Sequence, residues 1–315
     1  MSSKTHAELT LLAVLSAALL VGCALAQSTP PTAVPPAPVT LTDSFGNEVH
    51  LTAPPTRIVS LAASNTEIVF AIGAGDRLVG RDEFSDFPAE ALEVESIGSL
   101  YPKVNAEVVV ALEPDLVLAA GITNPDDVTA LAELGLTVYA TSFAATIDDI
   151  YNDILAVGTL TGETAAAQAV VDDMQARVRA VEKLTANVSD RPTVFYEIDA
   201  TDPSKPWTSG PGSFIDLLIG TAGGTNVGAA SSEAYWQISL EELVQQDPQI
   251  IVLGSSKYGG QTPEIVAERA GWGQIAAVTA GNVHTFDDDL VSRPGPRLVQ
   301  GLETLAAIVH PELSE

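Results

Sequence analysis

The chain has 315 residues, enough at roughly 150 per domain for two domains once a leader is set aside. Apolar residues make up 46% and charged ones 17%, the profile of a folded protein rather than a disordered one. Fourteen Lys and Arg against 41 Asp and Glu give a formal charge of −27, which excludes tracking of a phosphate backbone or adhesion to anionic lipid.

Residues 1–22 read as a signal peptide, with a run from Leu9 to Val21 dominated by Leu, Ala and Val. That run falls short of the roughly 20 apolar residues a membrane span needs. The only cysteine ends it, in Leu20-Val21-Gly22-Cys23, which resembles the lipobox of bacterial lipoproteins. Cys23 is therefore the expected lipidation site. Cleavage after Ala26 is the alternative, and it would leave the protein free. With a single Cys no intrachain disulfide can form. Residues 23–40 read as a tether: Gln27 to Thr40 holds five prolines and no charge, and reaches roughly 40 Å when extended.

The folded part opens with a predicted hairpin from Val39 to Leu51, turning at Gly46-Asn47. A short strand over Arg57–Leu61 follows, then a helix starting near Asn65-Thr66-Glu67 and a strand at Leu78-Val79-Gly80. A helix around Glu107 to Leu112, stopped by Pro114, precedes a buried strand over Leu116–Ala119. A helix from Asp126 to Leu134, closed by Gly135, leads to a strand at Thr137–Tyr139. Alternating strands and helices predict a parallel α/β sheet.

No Gly or Pro occurs between Glu163 and Arg191, and Val170, Val171, Met174, Val178, Val181 and Leu184 recur at helical spacing. A single helix of about 25 residues, roughly 37 Å long, is predicted there. The second half repeats the pattern, with a strand at Val194–Tyr196 and a helix from Phe214. Glu107 to Leu118 also matches Glu241 to Val252, with Pro114 and Pro248 in register. The fold class read from this is α/β: two Rossmann-like lobes with parallel sheets, residues 41–160 and 191–315, joined by one long helix over 161–190.

The stretches Arg57-Ile-Val-Ser-Leu, Asn65-Thr-Glu67, Phe84-Ser-Asp-Phe-Pro88, Leu112-Glu-Pro-Asp-Leu-Val, Trp207-Thr-Ser-Gly, Ile238-Ser-Leu-Glu241 and Ser292-Arg-Pro-Gly-Pro-Arg297 carry a resemblance. Taken together, the chain after Thr40 resembles the solute-binding proteins of ABC importers for vitamin B12 and ferric siderophores, the kind with a helical backbone. The resemblance implies a monomeric extracytoplasmic protein that takes a small-molecule ligand between its lobes. Its partners would be a permease dimer and the attached ATPase. It also implies that Phe84, Tyr101, Trp207 and Tyr235 pack on the ligand, with Trp236 beside them, and that Asp289 and Arg293 touch its edge. Tyr stands at 101 and 235 where a Trp is the family's habit. Glu107 and Glu241 fall where relatives carry permease-docking glutamates. Read without the resemblance, each is equally a helix-end carboxylate behind an N-cap, Asn105 or Ser239.

These five aromatics are expected in loops rather than in periodic core stripes, and a flat, largely uncharged corrinoid suits the set. An anionic ferric siderophore would instead call on Arg81, Lys103, Lys205, Lys257 and Arg293, all expected in loops. Haem lacks an evident axial ligand. His50, His284 and His310 are too scattered for a shared zinc or manganese site, and no resident cofactor is expected. An enzyme is the rival class, yet the chain carries no G-x-S-x-G elbow, no P-loop and no strand-borne G-x-G-x-x-G. The anchor can be checked directly: a radiolabelled fatty acid should mark the wild type and miss Cys23→Ala, and a mature chain beginning at Gln27 would refute it.

Overall fold

The computed structural model describes residues 37–313, so the leader, Cys23 and nearly all of the tether lie outside the described residues. The predicted hairpin forms from β1 (Val39–Thr42) and β2 (Glu48–Leu51), antiparallel with Val39 opposite Leu51. At its turn the Asp43 carboxylate accepts from the backbone N–H groups of Phe45 and Asn47 at 3.0 and 2.7 Å.

The first lobe then runs β3 (Ile58–Ser60), α1 (Ala63–Ala71), β4 (Leu78–Arg81), α2 (Ala106–Ala111), β5 (Leu116–Ala119), α3 (Pro125–Glu133) and β6 (Val138–Ala140). Next come α4 (Ile147–Thr161) and α5 (Thr164–Thr185). The second lobe opens with β7 (Thr193–Glu197), β8 (Trp207–Ser209), α6 (Phe214–Thr221), β9 (Thr225–Asn226), β10 (Tyr235–Gln237), α7 (Leu240–Gln246) and β11 (Ile250–Leu253). It closes with α8 (Ser256–Gly259), α9 (Pro263–Glu268), α10 (Ala276–Ala280), β12 (Val283–Thr285), α11 (Asp289–Ser292) and α12 (Leu298–Val309).

Each lobe carries a four-stranded parallel sheet, in the orders β4-β3-β5-β6 and β9-β7-β11-β12. Numbered within its own lobe, each sheet has the order second, first, third, fourth. The internal repeat therefore describes a true duplication of topology. It extends to backbone detail, because Glu113 and Asp247, each before its proline, both sit at φ 47°. A residue preceding proline is barred from the right-handed helical region, so each helix ends on a left-handed turn. The residue after each proline then staples the central strand. Asp115 accepts from Arg57 N–H at 2.9 Å, and Gln249 Oε1 accepts from Thr193 N–H at 3.0 Å.

Alternate residues of the central strands feed two different cores, as a sheet covered on both faces requires. Ile58, Leu116 and Leu118, with Val194, Tyr196, Ile250 and Val252, enter one large core shared by both lobes. Val59, Val117 and Ala119 face a second core private to the first lobe, and Phe195, Ile251 and Leu253 a third, private to the second. The shared core is filled by α5 through Val171, Met174, Val178 and Val181 and by α12 through Leu298, Leu302 and Leu305.

The long helix is 22 residues, about 33 Å, and stops at Thr185 rather than near Arg191. The residues beyond, Ala-Asn-Val-Ser-Asp, favour turns over helix, and Leu184 in its last turn is exposed instead of joining the apolar stripe. Helix α4 has no counterpart in the sequence reading, and it carries a glycine, Gly158, in its interior. A Cβ there would meet that of Ala167 at 2.3 Å, so the glycine is what lets α4 and α5 pack closely. A Thr146–Asp149 capping box starts α4, and Gly162 closes it. One core running through both lobes predicts a single cooperative unfolding transition. Met174→Ala should lower its free energy by about 2–5 kcal/mol in urea titration. Two separated transitions would show that the lobes unfold independently.

Candidate functional site

In parallel sheets the loops leaving the strand C-termini form the binding crevice. Here those connections carry Phe84 to Phe87 after β4, Ile122 after β5, Phe143 after β6, Lys257 (on the short helix α8 rather than in a loop) and Tyr258 after β11, and Asp287 to Arg293, through α11, after β12. Two of them meet across the lobes. Arg293 Nη1 of the second lobe donates to Asp86 Oδ1 of the first at 2.6 Å, while its Nη2 lies 2.9 Å from Asp289. Arg297, at the start of α12, grips Glu67 of α1 with two bonds of 2.8 and 2.5 Å and lies 3.9 Å over the Phe87 ring. Glu67, Asp289 and Arg293 are all buried.

Burial pushes the Glu67 carboxyl above its ordinary value, and the hydrogen bond and charge of Arg297, then Arg293, pull against it. Asp86 goes the other way. Burial raises it, but the bond and charge of Arg293, followed by Lys257, outweigh that and hold it below 3.8. Its contribution to stability is thus complete above about pH 4 and is lost as pH falls through the lowered value. Lys257 pairs with Asp289 and lies 3.4 Å from Asp287. Asp288, raised by burial, accepts from the Tyr196 hydroxyl at 2.7 Å. Gly254 makes room for that contact: a Cβ there would stand 2.6 Å from the Tyr196 hydroxyl and 2.8 Å from Asp288.

The aromatic set is largely open. Phe84 is 58% exposed and Tyr101 87%. Trp207, Tyr235 and Trp236, expected in loops, lie on the two-stranded ribbon β8–β10. Its period of two puts Trp207 and Tyr235 on one face and Trp236 on the other. Trp236 is half-buried, donates its indole N–H to Gly228 O at 3.0 Å and packs on the second lobe's private core, so it is turned from the face its neighbours share. Asp289 and Arg293, which the resemblance places at the ligand's edge, are buried and joined in the bridge at the lobe junction. Arg81, expected in a loop, is on β4 and buried, donating to Asp82 O at 3.0 Å. Lys103 and Lys205 are exposed loop residues, as read. His50, His284 and His310 fall on β2, on β12 and just after α12.

Glu107 and Glu241 are exposed in the first turns of α2 and α7. Asn105 accepts from Val108 N–H and Ser239 from Glu242 N–H, the caps expected from sequence. The sequence reading missed Asp86, Tyr258, Ile122 and Phe143 and gave Glu67 and Arg297 no role. Tyr258 could have been found as an aromatic between an apolar run and Gly259-Gly260. The Glu67–Arg297 pair spans 230 positions and has no signal in one sequence. A groove of about 560 Å³ between α5 and α12 shares Arg297 with the bridge but none of the candidate aromatics.

Truncating one partner of a buried ion pair strands the other. Arg297→Ala should lower stability by about 3–5 kcal/mol, and adding Glu67→Gln should recover part of that loss. A thermal melt of Arg297→Ala matching the wild type would show that the bridge carries no load.

The sequence pattern of the family described as periplasmic binding protein matches residues 58–290. An uncharacterized ABC transporter substrate-binding lipoprotein of Bacillus subtilis is 33% identical over 87% of this chain and 86% of its own. The cobalamin-binding protein of Halobacterium salinarum is 32% identical over 87% of this chain and 74% of its own. The solved structure of the periplasmic vitamin B12-binding protein of Vibrio cholerae aligns with a TM-score of 0.69 and 28% identity, covering 83% of this chain and 99% of that one. The duplicated lobes, the shared helix and these matches lead to one conclusion: the chain belongs to the periplasmic binding protein family.

Proposed function

We propose that the protein is the extracytoplasmic solute-binding component of an ABC importer, capturing a corrinoid between its lobes and delivering it to a permease dimer driven by an ATPase. In this reading residues 41–160 and 191–315 are the two halves of the trap and residues 161–190 its spine. Cys23 is the lipid anchor and residues 23–40 the tether.

The observation that carries the choice of cargo is the charge balance at the lobe junction. Lys257 and Arg293 face three carboxylates there, Asp86, Asp287 and Asp289. Such a cluster has no positive charge to spare for an anionic iron complex, whereas Phe84, Tyr101, Trp207 and Tyr235 offer open apolar faces to a neutral, flat one. The names of the Halobacterium and Vibrio relatives support the same cargo. A ferric siderophore is the second reading, favoured by exposed Lys103 near Tyr101 in sequence and Lys205 near Trp207.

Glu107 and Glu241 are the docking pair, one per lobe at equivalent places of the repeat. Two-fold-related permease subunits could each receive one carboxylate in an arginine pocket.

Titration of the purified protein with cobalamin, cobinamide and a panel of ferric siderophores, followed by Trp fluorescence, should show quenching by a corrinoid. Binding of an iron complex alone would reverse the order of the two readings. In cells, a Glu107→Ala, Glu241→Ala double variant should keep ligand affinity and lose uptake. Unimpaired uptake would leave both glutamates as helix-end stabilisers.

A further inference from the structure

Tyr258 is 63% exposed, yet its hydroxyl is not left to water. It donates to Asp289 Oδ1 at 3.0 Å and accepts from Arg293 Nη2 at 3.3 Å. The other terminal nitrogen of the same guanidinium, Nη1, reaches Asp86 of the first lobe. The phenol oxygen is therefore two hydrogen bonds from the opposite lobe, which puts the ring at the lobe junction.

The segment that carries the ring is held as firmly as the hydroxyl. Ser255 N–H donates to Glu197 O at 3.0 Å and its hydroxyl to Glu197 Oε1 at 2.7 Å. Glu197 is itself clamped by Arg269 through bonds of 2.5 and 2.9 Å, fully buried, with Arg269 lying 4.4 Å over Trp272. The Ser256 hydroxyl ties the next residue to Phe286 O at 2.8 Å. Lys257 Nζ lies over the ring at 5.5 Å, and the residue as a whole remains exposed. An exposed tyrosine ordinarily turns freely in water; this one has its ring orientation fixed from both ends. A rigid, open aromatic face costs a ligand little ordering on binding. Burial and the bond to Asp289 also raise the phenol's pKa, so it stays a proton donor.

We infer that Tyr258 is a cargo platform of the second lobe whose hydroxyl couples cargo contact, through Arg293 and Asp86, to the bridge between the lobes. The inference rests on the reading that the cleft captures a flat metal complex. It adds a contact residue and a route by which occupancy is felt in the other lobe.

The test uses the purified mature protein, Trp fluorescence and three probes: cyanocobalamin, dicyanocobinamide and ferric ferrioxamine B. With whichever probe binds, Tyr258→Ala should raise Kd about tenfold while still melting in one cooperative step, because the ring itself is exposed. Tyr258→Phe keeps the ring and the fold and should raise Kd roughly threefold. In an Asp86→Asn background the same Tyr258→Phe change should have little further effect, because the route is already cut. A Tyr258→Ala Kd within about twofold of wild type would overturn the platform, and full additivity of Tyr258→Phe with Asp86→Asn would overturn the coupling. A wild type that binds none of the probes would remove the capture reading itself, and the platform with it.

Discussion

Each lobe's four-stranded parallel sheet is apolar on both faces, and neither face can be left to water. The outer faces are covered locally, by α2 and α3 in the first lobe and by α7, α9 and α10 in the second. The inner faces are not. They are covered by one shared layer in which α5 packs against α4, α12, α6 and α1. The constraint that both inner faces bury against the same helices makes two lobes into one body. It also explains why α5 is the longest helix among the described residues and why its neighbour α4 needs a glycine at 158.

That shared layer leaves the strand C-termini of both sheets free for other work. Where the lobes touch beyond it, the contact is ionic: Glu67 and Asp86 on one side, Arg293 and Arg297 on the other. Glu67 and Arg293 are buried and Asp86 only partly so; buried charges persist only in matched sets, and here Arg293 bonds Asp86 and Tyr258 while Arg297 bonds Glu67 and lies over the Phe87 ring. The same matching uses up the positive charge of the junction.

The duplication was legible because it rests on local chemistry. An acid before proline at 113 and 247 can be read in one dimension, and so can N-caps at 105 and 239 and apolar runs at 116–119 and 250–253. The open aromatics were legible too, since Phe84, Tyr101, Trp207 and Tyr235 stand outside any periodic stripe. Trp236 differed because strand alternation, invisible in a stretch read as loop, turned it the other way.

Sequence alone determined the two-lobed parallel architecture, the position of the connecting helix and the glutamates in the first turns of the two matched helices. Each depends on residues close in the chain, where periodicity, caps and proline act within a few positions. Only the tertiary structure decided which charges are available. Arg81 turned out to be buried on a strand, Arg293 and Asp289 to be part of a bridge, and Glu67 to be the partner of a residue 230 positions away. A side chain's charge is written in its identity, but whether that charge faces a ligand or another side chain is set by the partners folding brings to it.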